Sequence, residues 1–293
     1  MKLLIILFKA VSKLPLSLLY RGADFIFFLN YYVVGYRKKV VYENLRRSFP
    51  EKKEAELKQI QKKFFRNFSD YIVETAKQLT ISETELRVRV QHINQKVFYD
   101  AKAEGKNVIF LAGHIFNWEW ISALATVIPQ EHCYPVYRKV NNDFWNGQIE
   151  DIRNRFGNQS IEDKEVLRHI LRHQNDGNSA YMFVADQSPT SHLVDEGLDF
   201  LHQMTPVFVG YDKIATRMDL AFVYCDMKKV KRGYYQVNYH RIYPDGERFQ
   251  PFEVVRKFHQ LLEKTIQKAP DNYLWSHRKW KNSHFVKTNI SEK

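Results

Sequence analysis

From about residue 86 onward the chain alternates short apolar runs with longer amphipathic stretches, and few architectures accommodate that rhythm. Apolar runs at 88–93, 108–111, 133–137, 180–184, 220–225 and 234–243 predict strands. Helical spacing is predicted between them at 95–104, 118–127, 142–156 and 164–175, with a last amphipathic helix at 252–268. Strand and helix in turn imply an α/β fold, a mostly parallel mixed sheet flanked by crossover helices. Ligands of such sheets sit beyond the carboxyl ends of the strands. Three predicted strands run directly into polar residues there: His114, Arg138, and the pair Asp186 and Gln187.

The first 85 residues read differently. A basic helix is expected at 37–49, stopped by Pro50, and a charged helix at 51–79 carries Leu57, Ile60, Phe64, Phe68, Tyr71 and Ile72 at near-helical spacing, as core positions. Residues 1–35 are apolar but broken by Lys9, Lys13 and Pro15, so no run reaches the 18 residues of a confident spanning helix. The same lysines cut the apolar core that a secretory signal needs. The expected division is therefore a membrane-associated segment at 1–35 and one α/β domain at 36–293, helical over 36–85. Forty-five Lys and Arg against 33 Asp and Glu leave a net charge of +12, which attracts polyanions. Clusters at 37–39, 46–47, 52–53, 62–63 and 228–232 are solvated faces or anion-binding surfaces, and those beside the apolar N-terminus favour an anionic membrane surface. Helix-turn-helix, zinc and RNA-recognition signatures are missing, which argues against nucleic acid as the partner. No metal site is expected from the scattered histidines. Two cysteines, Cys133 and Cys225, read as reduced core residues.

The densest chemistry lies in Asn107-Val-Ile-Phe-Leu-Ala-Gly-His-Ile-Phe-Asn-Trp-Glu-Trp120. His114 follows a strand, and Glu119 stands in what reads as the first turn of a helix capped by Asn117. A carboxylate there is expected to hold one ring nitrogen and leave the other as a general base. The spacing alone is weak, since this composition yields about one such pair by chance. A second one, His240 with Asp245, sits beside an Asp245-Gly246 hairpin signature and reads as structural.

Five blocks in order carry a family likeness: Arg37-Lys-Lys-Val-Val-Tyr-Glu-Asn-Leu-Arg-Arg-Ser-Phe-Pro50; the His114/Glu119 block; Val136-Tyr-Arg138 with Asn142, then Arg153-Asn-Arg-Phe-Gly157; Ala185-Asp-Gln-Ser-Pro189; and Asn272-Tyr-Leu-Trp-Ser-His-Arg-Lys-Trp-Lys281. Over about residues 10–285 the chain resembles the lipid A biosynthesis acyltransferases of the late lauroyl/myristoyl type, within the lysophospholipid acyltransferase superfamily. The resemblance implies a glycerolipid acyltransferase-like fold and acyl transfer from an acyl carrier protein thioester to a hydroxyl of a lipid A precursor, with no further cofactor. It implies His114 and Glu119 as the catalytic dyad. Arg138 would stabilise the oxyanion or bind a phosphate, or pair with Glu119. Asn142, Arg153, Asp186, Gln187, Arg278 and Lys281 are the expected substrate-binding or site-shaping residues. Acyl carrier protein, a lipid acceptor and an anionic membrane are the implied partners, at the cytoplasmic face of an inner membrane, reached peripherally or through one N-terminal anchor. The same chemistry on another aminolipid or glycolipid, or an inactive membrane-surface protein, are the competing readings. Glu119, where glycerol-phosphate acyltransferases usually carry Asp, matches the lipid A branch.

Overall fold

The computed structural model describes residues 9–139, 143–191 and 194–291, without the side chains of 143–146, 148 and 149. Its centre is a seven-stranded sheet in the order β1-β9-β8-β2-β5-β3-β4, formed by β1 (Val90–Ile93), β2 (Val108–Ala112), β3 (His132–Tyr137), β4 (Ile161–Glu162), β5 (Ser179–Val184), β8 (Ala221–Lys231) and β9 (Tyr234–Ile242). Five strands run parallel; β9 pairs antiparallel with β8, and β1 pairs parallel with β9. All five residues of β2 are buried, because helices cover both faces of a central parallel strand. Cys133 and Cys225 are free thiols buried in this core, where burial pushes the Cys133 thiol up to about 12.

The helices described are α1 (Leu16–Phe28), α2 (Lys38–Ser48), α3 (Glu54–Lys77), α4 (Glu83–Arg89), α5 (Lys96–Ala103), α6 (Asp143–Asn154), α7 (Val166–Arg172), α8 (Gly210–Ala215) and α9 (Glu253–Lys268). α4 replaces the start of the first predicted strand. Ser82 Oγ accepts the Glu85 amide at 3.1 Å, and Glu83–Arg87 and Glu85–Arg89 pair one turn apart, so capping and pairing hold the segment helical until Val90.

A second small sheet, β10-β6-β7, is built from β6 (Glu196–Phe200), β7 (Gln203–Pro206) and β10 (Thr288–Asn289). The β6–β7 turn is Leu201-His202, both at positive φ (51° and 61°). Such turns normally carry Asn or Gly, so this one leaves no sequence signal. The β8–β9 hairpin turns at Arg232-Gly233, with Gly233 at φ 73°. The Asp245-Gly246 signature instead lies in irregular chain after β9. His240 faces Asp226 at 3.9 Å while Asp245 pairs with Lys257, so that second His/acid pair is not a unit.

α1 buries Leu16, Leu19, Ala23 and Phe27, spaced for one helical face, against α3. A π-helical extension, Leu29–Val34, ends at Gly35 in the left-handed region. The opposite face stays bare: Phe25, Phe28, Tyr32, Val33 and Val34 are between 52% and 71% exposed. Among the described residues, no helix is long and apolar enough to cross a membrane. Two residues of the expected basic clusters rim this surface, Lys38 over the Tyr31 ring and Lys62 over Tyr32, and Arg66 joins them over Phe27. In the 228–232 cluster, by contrast, Lys229 and Arg232 are spent on Asp70, and Arg232 also on Asp24.

Candidate active site

Strands β2, β5 and β3 are neighbours, and their carboxyl ends bring His114, Gln187 and Arg138 around one cleft of about 410 Å³, with Asp186 buried behind His114. Register does most of the positioning. Ala112 pairs with Val184, so residues two steps beyond, His114 and Asp186, meet across the sheet end. Asp186 Oδ1 accepts the His114 main-chain N–H at 3.1 Å and lies 2.5 Å from ring Nδ1. Gln187 Nε2 lies 2.9 Å from ring Nε2. One assignment satisfies both contacts: Nδ1–H donates to the carboxylate, and the Nε2 lone pair accepts from the carboxamide. Gly113 makes the approach feasible, since a Cβ there would stand 2.5 Å from Leu262 of α9.

Asp186 has its own support. Burial works to raise its pKa, but His114, Lys279 and a hydrogen bond from Tyr273 overcome it and hold the carboxyl well below the usual range. Lys279 is buried, donates to the Asp186 carbonyl, and is pushed down to about 8 by desolvation despite that neighbour. The chain around Tyr273 is tied to the His114 turn by Leu274 N–H to His114 O at 3.2 Å and Phe116 N–H to Asn272 O at 3.1 Å.

The expected hydrogen bond between His114 and Glu119 is corrected by this geometry. Glu119 is buried and receives both Arg153 Nε (3.0 Å) and Nη2 (2.8 Å), with Trp118 Nε1 at 3.0 Å. Burial would raise its pKa, but the Arg153 guanidinium keeps it lowered. The cause is local backbone. Asn117 sits at φ 44°, ψ 46°, and gives its amide to Glu74 at 2.7 Å instead of capping a helix; Trp118–Thr126 then winds as a 3-10 helix. Glu119 is thereby turned toward α6. Trp118 is the link between the two centres, edge-on to the His114 ring at a centroid distance of 4.7 Å and stacked on Tyr71 at 4.2 Å.

A family model of bacterial lipid A biosynthesis acyltransferases matches residues 1–282. The chain belongs to this family. No curated protein gave a match. The acyltransferase's other anticipated residues divide into three groups. Arg138 and Arg153 line the His114 cleft; Arg138 donates through Nε to Asp163 at 2.7 Å and does not pair with Glu119. Arg278 and Lys281 lie away from that cleft, in a second recess. Asn142 falls outside the described residues.

Three buried residues of this acyltransferase escaped sequence reasoning as parts of the site. Tyr273 and Lys279 lie within a block already noted, but nothing in the pattern marks them as turned toward Asp186. Glu74 sits in the last turn of α3 and accepts from the Tyr20 hydroxyl, the Tyr235 hydroxyl and Asn117, each at 2.7 Å. Burial raises its pKa, which these donors only partly offset. A small aromatic crevice beneath His114 is lined by Phe64, Phe68, Tyr71, Phe116 and Trp118, so part of the α3 aromatic stripe borders the site as well as the core.

Proposed function

We propose that this acyltransferase moves a fatty acyl group from an acyl carrier protein thioester to a hydroxyl of a lipid A precursor, with His114 as the general base. The observation that carries this reading is the His114 ring at the cleft, with Nδ1 given to a buried anion and Nε2 left as the acceptor. A substrate hydroxyl that displaces the Gln187 amide passes its proton to Nε2 as its oxygen attacks the thioester carbon. The tetrahedral oxyanion then collapses, the carbon–sulfur bond breaks, and the imidazolium returns the proton to the departing thiolate. Asp186 holds the Nδ1–H tautomer and stabilises the imidazolium. Arg138 and Arg153, two of the cations lining the cleft, serve the oxyanion or a substrate phosphate. Glu119 acts at one remove, as a positioning residue that fixes Arg153 and, through Trp118, the flank of the His114 ring. The bare apolar face of α1 and its rim of cations suits an anionic membrane surface, where a lipid acceptor resides.

Replacing His114 with Ala is expected to lower transfer by about 10²–10⁴-fold in a protein that still folds, with a lower melting temperature because the buried Asp186 loses a partner. A folded variant within tenfold of the parent would remove His114 from the chemistry. Mass spectrometry of cell lipids with and without the protein tests the acceptor. Lipid A lacking one acyl chain is the expected loss, and unaltered lipid A with another lipid missing moves the reading to that lipid.

A further inference from the structure

Ser188 and Pro189 border two recesses, the His114 cleft and another of about 260 Å³. The second is lined by Arg37, His277, Arg278, Lys281 and Asn282 together with the 188–190 loop, and among the described residues no Asp or Glu contributes. Burial pushes His277 down to about 4, so at neutral pH it adds no charge and the three remaining basic side chains set the field. A larger recess at the other end of the sheet makes the contrast. There Lys106 and Arg241 are neutralised by Asp219 and Glu104 within the lining itself.

The cationic recess is built on pinned backbone. Arg37 Nη1 donates to Ser276 O at 2.8 Å, and Asn44 of α2 donates to Trp275 O and His277 O at 2.8 and 3.0 Å. The segment bearing Arg278 and Lys281 is therefore held in place by Arg37 and α2. The recess also borders the apolar surface. Arg37 follows directly on the turn Val33-Val34-Gly35-Tyr36, whose Val33, Val34 and Tyr36 are 64%, 71% and 48% exposed. An unneutralised cluster of cations at the margin of a bare apolar surface matches an anion carried on a lipid. Two guanidinium forks and an ammonium suit a group with several terminal oxygens and double charge better than a diester with one charge.

We propose that this recess binds the phosphate monoester of a lipid headgroup at the membrane surface. The inference rests on the preceding reading only in giving its lipid acceptor a phosphate, and a binding measurement can fail while acyl transfer survives. The full-length protein is sedimented with phosphatidylcholine vesicles containing either phosphatidic acid, a monoester, or phosphatidylglycerol, a diester, at matched surface potential. The parent is expected to prefer the phosphatidic acid vesicles by roughly tenfold. Arg278→Gln/Lys281→Gln should lose most of that preference, its binding to the diester vesicles falling only by the nonspecific attraction of two charges, so that the ratio between the two vesicles is what is read. Lys281→Gln alone, at an exposed side chain, should lose about threefold and replaces the double variant should that one melt early. Glycerol 3-phosphate as a soluble competitor separates the sources: abolished preference assigns the recess to phosphate monoesters at large, and persistence assigns it to lipid-borne ones. Equal binding of the parent to both vesicles, or an undiminished preference in the folded variants, overturns the proposal.

Discussion

Asp186→Asn separates the two carboxylates that compete for the role of His114 partner. The substitution keeps size and can keep the acceptor at Oδ1, which the His114 main-chain N–H requires. What disappears is the charge facing the imidazolium. A unit charge about 4 Å from its partner, at an effective dielectric of about 20, is worth about 4 kcal/mol. At about 1.4 kcal/mol per tenfold this predicts a fall in kcat of about 10³. An amide that rotated its NH₂ toward Nδ1 would place the proton on Nε2 instead and bring the loss to about 10⁴. The assay is turnover of acyl carrier protein thioester with lipid acceptor, beside a thermal melt, because Lys279 loses its counter-charge in the same variant. Glu119→Gln supplies the contrast. It leaves the largely buried Arg153 without its anion, so a stability loss of about 3 kcal/mol is expected, with the ring and its Asp186 bond intact. A folded Asp186→Asn protein within threefold of the parent kcat, together with a folded but inactive Glu119→Gln, would refute the assignment and return the ring to Glu119.

Two further outcomes follow from the core. Lys279 has a folded pKa of about 8 against an ordinary 10.5, so between those values the unfolded chain holds the extra proton and stability rises with pH, by about 3 kcal/mol across the window. Denaturation of the parent minus that of Lys279→Met should show the rise from pH 8 to 10, and parallel curves would contradict it. Gly177 stands at φ 80° with its would-be Cβ 2.9 Å from the Lys102 Cα, whereas Gly105, at φ 68°, has open space around it. Gly177→Ala should therefore cost about 2 kcal/mol or more and Gly105→Ala about 1, and equal melting temperatures for the two would show that the backbone contact is harmless.

The centre of the sheet was legible because strands buried on both faces must be written as continuous apolar runs, and the β8–β9 edge because buried residues alternate along β9. β2, β3, β5 and β9 fall within one residue of their expected bounds. The family was legible in the ordered motifs. What escaped depends on which strands lie side by side. In sequence Asp186 is 72 residues from His114 and Glu119 is five, so proximity along the chain points to Glu119. Only the Ala112–Val184 register shows that the carboxylate hydrogen-bonded to the ring is Asp186. The β6–β7 hairpin escaped because Leu201 and His202 occupy positions where Asn and Gly would have advertised a turn. The helix expected at 118–127 is present as a 3-10 helix at 118–126, and the Asn117 cap expected for it is missing, since nothing local says that Asn117 will spend its amide on Glu74.

That shared carboxylate makes a distant part of the chain answerable for the turn that carries His114. Tyr20 of the outlying helix and Asn117, three residues past the histidine, grip the two oxygens of one side chain. Trimming the N-terminal helix to improve handling would strip a hydroxyl from that shared anchor, and the injury would surface as a misaimed imidazole far from the cut.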